Sequence, residues 1–362
     1  MGQNRITLFL SLNFCGNLRM NQTLIGVYFA QDKLIMTALD NGSEEMRRPI
    51  KVPAIDDGLK SIYQAARLIA ETYRNDNVVG ICLAVPSTLR ILEKGEAYGE
   101  IGSGIGPRNW LAMNVVDEFK AALNRVGSPV DQAECKFPII SQVGATALGD
   151  LKLRHPVAFD EGADEYLAER RRIGNVIHIV ADHGIGCALS QRCNLFHGFA
   201  VPNIGHMLVR PLDGNVHKAC RHHPGRSCLN SMASLGAIRE RWGLSAAEFI
   251  ECNDLKILAE IAHYLAQAIA NLVYFSSPNR IVIGGRVADN PHMLPLISEL
   301  LRKQMGDGEG TIPEPFDRVV RNADYIAHQK ERDAGVLGAC LLAEKWTRPD
   351  SIANAAIMPK NR

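Results

Sequence analysis

Two successive series of strand-like and helix-like segments most strongly constrain the fold of this chain. In the first series, strand-like runs at 23–30 and 33–40 are separated by two polar residues, which predicts a hairpin. The apolar spacing that follows predicts a helix at 58–74, a buried strand at 77–86, a helix at 115–127 and a short strand running into a helix at 137–153.

The second series begins with a strand, a glycine turn and a return strand. Its predicted segments are a strand pair at 175–189, a helix at 231–242, a helix at 255–275, a strand ending in a double glycine at 280–285 and a helix at 333–346. The helix at 255–275 carries one continuous apolar stripe and is expected to be buried. Two such series predict an α/β protein with two lobes.

Composition narrows the classes of partner and compartment. The chain has 362 residues and a net charge of +1, which predicts no nucleic-acid partner and no acidic-membrane partner. Nine cysteines without a framework spacing indicate reduced thiols and a cytoplasmic location. No later apolar run approaches the ~20 residues that span a bilayer. Residues 1–19, which precede Met20, are interpreted as an extension or a misassigned start.

Five motifs occur in an order that is informative as a set. They are Asn-Ile-Gly-His-Met at 203–207, Cys-x2-His-x4-Cys at 220–228, the segments 231–243 and 264–287, and Ala-Gly-Val-Leu-Gly-Ala at 334–339. Together they resemble the ROK family of sugar kinases, and most closely its zinc-containing bacterial fructokinases. The resemblance extends from Leu24 to Trp346, nearly the whole chain.

The resemblance implies an actin/hexokinase-type fold, in which two lobes of ribonuclease-H-like topology close over a sugar and a nucleotide. The expected small lobe comprises residues 20–138 and 332–347, and the expected large lobe comprises 139–331 with a zinc loop. Residues 348–362 are expected to form a tail. Expected partners are a sugar ligand and a second copy of the chain in a homodimer.

A structural zinc is the cofactor that the resemblance implies. Its ligands would be His206, Cys220, His223 and Cys228, and His222 is an alternative to His223 because the loop is two residues longer than in the fructokinases. Two thiolates and two imidazoles fill a tetrahedral shell, so the ion would fix the loop that lines the sugar pocket rather than catalyse. The competing interpretation is a surface loop that is rich in histidine by chance.

The first phosphate-binding segment departs from the family pattern of an acid followed by Gly-Gly-Thr. Tyr28 stands at the acidic position, and Ala30, Gln31 and Asp32 replace the Gly-Gly-Thr. Side chains at these positions hinder the approach of backbone amides to a phosphate, and a carboxylate adds repulsion.

Two further glycine segments are expected near a nucleotide. In the second phosphate loop Asp182 and His183 replace Gly and Thr, whereas the glycines persist. The predicted nucleotide-binding residues are Gly184, Gly186, Gly284 and Gly285. Glycines that follow strands are equally well explained as turn formers.

The general base of the family is an aspartate at the start of the interlobe helix, and Gln142 stands at that position. An amide cannot accept a proton near neutral pH, so it cannot act as a general base. Gly144 replaces a sugar-binding asparagine, and Asp150 lies too far along the helix to substitute. No catalytic residue of the family pattern is therefore intact, and Asp182 is the candidate substitute.

Sugar contacts are also altered relative to the family. The predicted substrate-binding residues are Asn203, His206 and Asn230, where the two asparagines replace expected glutamates. Asparagine can still hydrogen-bond a hydroxyl group, although capping a loop explains both residues nearly as well. The segment from Gly104 to Trp110 is expected to supply one wall of the pocket.

These patterns favour a fructokinase-like protein that has lost phosphoryl transfer and binds a sugar, a nucleotide or a protein partner. The alternative is an active ATP-dependent hexose kinase that uses ATP and Mg and has recruited Asp182 or Asp32. A transcriptional regulator ranks last, because no helix-turn-helix segment precedes Leu24.

Overall fold

The computed structural model of the chain describes residues 22–30, 32–40, 43, 45–86, 98–101, 110, 113–196, 198, 200–212, 220, 222–223, 227–307 and 311–348. Several expectations fall outside these described residues. They concern the extension at 1–19, Gln31 in the hairpin turn, the wall segment except Trp110, and the tail after Arg348.

The described residues form twelve strands, of which ten build two five-stranded sheets. The strands are β1 (Gln22–Phe29), β2 (Lys33–Asp40), β3 (Ile50–Pro53), β4 (Asn77–Val85), β5 (Glu100–Ile101), β6 (Met113–Asn114), β7 (Ile139–Ser141), β8 (Asn175–Ala181), β9 (Ile185–Gln191), β10 (Asn194–Phe196), β11 (Arg280–Gly284) and β12 (Ile326–His328). The sheet orders are β3-β2-β1-β4-β7 and β10-β9-β8-β11-β12, and β5 pairs with β6 separately.

The two sheets share one topology. In the first, β1 pairs antiparallel with β2 and parallel with β4. In the second, β8 pairs antiparallel with β9 and parallel with β11. The hairpin and the strand pair predicted from sequence are therefore confirmed, and each sheet is the centre of one lobe of a two-lobed α/β fold.

Eleven helices occur in the described residues. They are α1 (Gly58–Thr72), α2 (Val115–Arg125), α3 (Gln142–Arg154), α4 (Tyr166–Ile173), α5 (Leu229–Ala233), α6 (Leu235–Trp242), α7 (Ala246–Ile250), α8 (Leu255–Ser276), α9 (Met293–Arg302), α10 (Phe316–Val320) and α11 (Ala334–Thr347).

The helix predicted over 231–242 is instead two helices. The backbone of Ser234 is extended between α5 and α6, and its hydroxyl accepts a hydrogen bond from the backbone N–H of Ala237 at 3.2 Å. Serine favours this capping conformation because its side chain satisfies an otherwise unpaired N–H group of the first helical turn. The single-helix prediction was therefore wrong at Ser234.

Helix α8 is the central element of the second lobe. Its predicted stripe is buried, with Leu258, Ile261 and Ile269 fully inaccessible to solvent. By length and composition alone α8 could cross a membrane, so the expectation that no run approaches that length was wrong. The burial of the stripe within the core of the second lobe explains its apolar character.

Helices α3 and α11 cross between the lobes in unusually close contact. Helix α11 packs on β1 and β4 of the first sheet, and α3 also contacts β8 and β9 of the second. A Cβ atom added at Gly149 would overlap the carbonyl oxygen of Ala334, and one added at Gly338 would overlap that of Ala145. Glycine on both helices therefore allows the two backbones to touch.

We expect Gly149→Ala to lower the free energy of unfolding by roughly 1–3 kcal/mol, because the added methyl group must push α3 and α11 apart. The matched control is Gly236→Ala in α6, where an added Cβ would have its nearest neighbour at 3.5 Å. The control should leave stability unchanged or slightly increased. Denaturant unfolding of both variants measures the difference, and equal effects would contradict the proposed role of the crossing.

Candidate functional site

A cleft of about 620 Å³ lies between the two lobes. The end of β1, the start of α3 and the loops that follow β8 and β11 line its floor, and residues 201–203, His206, Cys220, His222 and Asn230 contribute to one wall. Because these segments come from both sheets, the α3–α11 crossing sets their separation.

Four potential metal ligands converge beside the cleft. The ligand atoms of His206, Cys220, His223 and Cys228 all lie within 4.8 Å of one another. Cys220 Sγ is 3.8 Å from His206 Nδ1, and the backbone N–H of His223 donates to the carbonyl oxygen of Cys220 at 2.8 Å. The group contains His223 and not His222.

The chemistry of this group fits a metal ion. His223 Nδ1 is buried and has no hydrogen-bond partner among the described residues, as expected of a nitrogen placed to coordinate an ion. Two sulfur and two imidazole donors form the set that tetrahedral zinc prefers. His222 instead lines the cleft, with its ring 5.1 Å from and nearly perpendicular to that of His206.

Gln142, at which the family resemblance implies a base, is the first residue of α3 and lines the cleft. Its side-chain Nε2 donates a hydrogen bond to the carbonyl oxygen of Phe29 at the end of β1. The amide therefore joins the start of α3 to the first sheet. Gly144 is buried in the next part of the helix against Ile140.

Tyr28 fills the place expected for a carboxylate. Its ring packs so closely over Gly335, at the start of α11, that a Cβ atom there would overlap the ring. Its hydroxyl lies 3.3 Å from Thr146 Oγ1 on α3. Burial raises the pKa of Tyr28 to about 12, so this phenol is neutral at physiological pH.

Asp182 and Arg286 form an ion pair inside the cleft. Arg286 Nη2 donates to Asp182 Oδ1 at 2.6 Å, and Arg286 Nε contacts both carboxylate oxygens at 3.0 and 3.2 Å. The backbone N–H of His183 donates to the same carboxylate at 2.7 Å. Burial opposes ionisation of Asp182, but hydrogen bonds and the charge of Arg286 outweigh it and lower the pKa.

The four glycines predicted to bind a nucleotide have different surroundings. A Cβ added at Gly184 would make only an ordinary van der Waals contact, with Asn230 Oδ1 at 3.8 Å. A Cβ at Gly186 would lie 2.5 Å from Val143, and Gly284 lies against the side chain of Gln329. Gly285 has φ +86° and also lies against the Ala181 carbonyl. Packing within the protein therefore accounts for three of the four glycines.

The predicted sugar-binding residues lie together on the cleft wall. Asn203 precedes the short turn that carries His206, and both line the cleft with Asn230. Asn230 Oδ1 accepts a hydrogen bond from the backbone N–H of Ile185 at 2.7 Å. Asn230 thus connects α5 to the loop after β8.

Two cleft carboxylates were not predicted from the sequence. Asp289 pairs with Arg332 and with His328 at 3.3 Å, and Asp333 pairs with Lys33 at 3.0 Å and with Lys51. Two sequence signals could have indicated these carboxylates. Asp289 follows the double glycine, and Asp333 immediately precedes α11.

Asp150 lies away from the cleft, as the sequence indicated. It is fully buried, its Oδ2 accepts from Arg154 Nε at 2.6 Å and lies 3.2 Å from His178 Nε2, and its Oδ1 accepts from the Lys330 backbone N–H at 2.7 Å. This carboxylate connects α3 to β8 and to the segment that leads into α11.

Comparison with known proteins identifies relatives of this chain. Among curated proteins, the fructokinase of Zymomonas mobilis is 29% identical over 238 residues, which is 65% of this chain and 67% of that protein. This chain spans between 56% and 67% of the length of three such fructokinase relatives.

Solved structures share the fold over most of the chain. The ROK hexokinase of Thermus thermophilus has a TM-score of 0.62 at 18% identity, covering 89% of this chain and 97% of that one. The ROK glucokinase of Streptomyces griseus, solved with glucose and AMPPNP, has a TM-score of 0.59 at 17% identity, covering 89% and 99%. The expected two-lobed actin/hexokinase-type fold is confirmed.

The family assignment follows from the region that contains the metal ligands, both crossing helices and the second sheet. The model of the ROK family matches residues 136–346, which is more than half of the chain. This chain belongs to the ROK family.

Proposed function

We propose that this ROK protein binds a hexose in the interlobe cleft and does not transfer phosphate to it. The observation that carries the proposal is the side-chain amide of Gln142 at the base position, hydrogen-bonded to the Phe29 carbonyl. A kinase of this class needs a group that accepts the proton of the attacking hydroxyl, and an amide cannot do so.

The surroundings of Tyr28 support the same proposal. Its neutral ring covers Gly335 and occupies space between β1, α3 and α11 where an acidic residue is expected from the family pattern. Phosphoryl transfer depends on positioned charge around the phosphates and their metal ion. A half-buried phenol with a raised pKa supplies no charge for this purpose.

We further propose that His206, Cys220, His223 and Cys228 hold one zinc ion. With four protein ligands the ion has no open position for water, so its contribution is structural. Both His206 and Cys220 line the cleft, and an ion at this position would therefore fix the cleft wall. The buried, unpartnered His223 Nδ1 supports this assignment.

Protein purified without added metal should contain about one zinc per chain, because two thiolates and two imidazoles bind it tightly at neutral pH. Metal analysis by plasma mass spectrometry measures the content. The double variant Cys220→Ser/Cys228→Ser should lose the metal.

Cys252→Ser is the matched control for the zinc measurement. Cys252 is a half-buried free cysteine outside the four-ligand group, so this variant should keep the metal. Full zinc content in the double variant, or none in the wild-type protein, would refute the assignment.

A hexose fits the polar character of the wall. Asn203 and His222 line the cleft with hydrogen-bonding side chains, and an amide such as that of Asn203 pairs with hydroxyls without the cost of burying a charge. ROK relatives have been solved in complex with sucrose and with glucose. These observations support a sugar as the ligand of this chain.

Thermal unfolding in the presence of fructose, glucose and mannose tests the binding half of the proposal. At about a hundredfold excess over Kd, a bound sugar should raise Tm by roughly 3–4 °C. Asn203→Ala should abolish the shift, whereas Asn322→Ala, in a turn before β12, should keep it. A shift with Mg-ATP that exceeds every sugar shift would contradict the proposal.

The alternative function is an active ATP-dependent hexose kinase, which the fructokinase relatives favour. It requires Asp182 or Asp32 to serve as the base. The ion pair with Arg286 lowers the pKa of Asp182 and so makes its carboxylate a weaker proton acceptor. Turnover of ~1 per second or more that is abolished by Asp182→Asn would establish this alternative.

A further inference from the structure

The loops after β8 and β11 contain hydrogen-bond donors of the kind that bind phosphate. The backbone N–H of His183, the backbone N–H of Arg286 and the guanidinium of Arg286 converge on one point in the cleft. Clustered backbone amides with an arginine form a common binding site for anions. In this structure they converge on a carboxylate of the protein itself.

We infer that Asp182 is an internal anion that occupies this donor cluster and excludes polyphosphate ligands from the cleft. This inference rests on the proposed function, and it names Asp182 as the residue that makes the cleft select against polyphosphate ligands. It assigns to Asp182 the role of a competitor of phosphate rather than that of a base.

The Asp182 carboxylate accepts a hydrogen bond from each donor of this cluster. Its Oδ1 accepts from His183 N and from Arg286 Nη2, and its Oδ2 accepts from Arg286 N at 3.3 Å and from Arg286 Nε at 3.0 Å. Two residues after His183, Ile185 N donates to Asn230 Oδ1. A phosphate could use the donors of His183 and Arg286 only by displacing the Asp182 carboxylate.

The charge of the cleft lining also disfavours a polyphosphate ligand. The lining contains three lysine or arginine side chains and four aspartates, so with neutral histidines the lining is not positive. The Asp182 and Arg286 side chains are 27% and 24% exposed, which leaves the pair accessible from the cleft. Removing the Asp182 charge would therefore uncover a site that an anion can reach.

Inorganic tripolyphosphate, without sugar or nucleotide, is the probe for this inference. Isothermal titration of the full chain at 0.15 M ionic strength should give no measurable binding for the wild-type protein. Asp182→Asn should bind tripolyphosphate at least ~10-fold more tightly than the wild type, because charge-assisted hydrogen bonds to Arg286 and His183 N become available.

Two further variants distinguish the effect of freeing these hydrogen-bond donors from the effect of removing one negative charge. Asp32→Asn removes the same charge from the same cleft but contacts none of these donors, and should change the affinity by roughly fivefold or less. Asp182→Asn/Arg286→Gln should lose the gain. If Asp182→Asn does not fold, as judged by its thermal melt, Asp182→Ser provides the same test.

Wild-type binding as tight as that of Asp182→Asn, or equal gains in Asp182→Asn and Asp32→Asn, would overturn the inference. Because the titration involves no turnover, a negative result leaves the proposed loss of phosphoryl transfer intact. Conversely, sugar phosphorylation by the wild-type protein would refute the proposed function whatever the tripolyphosphate affinities are.

Discussion

The backbone contact between α3 and α11 is the interaction on which the rest of the structure depends. Helix α11 packs on strands of the first sheet and α3 contacts strands of both sheets, and the two helices touch where Gly149 faces the Ala334 carbonyl and Gly338 faces that of Ala145. No side chain larger than hydrogen fits at these two points, so the separation of the lobes is fixed by backbone rather than by adaptable side chains.

The same crossing determines what the cleft can do. The first residue of α3 is Gln142 and the residue before α11 is Asp333, and both line the cleft. Gln142 donates to the end of β1, and Asp333 is neutralised by Lys33. Gln142 thus joins α3 to the first sheet, Asp333 joins the start of α11 to lysines of that sheet, and the polar cleft wall carries the proposed sugar site.

Sequence reasoning recovered the elements whose causes are local. The hairpin of β1 and β2, the buried stripe of α8 and the short strand before α3 follow from apolar periodicity, and the group of potential metal ligands follows from the family resemblance, which adds His206 to the cysteines and histidine of the loop. The break at Ser234 was missed because a cap overrides periodicity. The pairing of Asp182 with Arg286 could not be predicted, because 104 residues separate them and only the adjacency of β8 and β11 brings them together.

The central claim is that the cleft binds a sugar without phosphorylating it, since an amide (Gln142) stands where the family resemblance implies a base and a phenol (Tyr28) stands where it implies an acid. The most direct measurement is the transfer of radiolabelled γ-phosphate from Mg-ATP to fructose, glucose or mannose. The account predicts turnover of roughly 10⁻² per second or less for the wild-type protein, since a missing base alone costs ~10²–10⁴-fold. It predicts that Gln142→Asp stays within about tenfold of that rate, because Tyr28 still fills the first phosphate site. Wild-type turnover of ~1 per second or more would contradict it.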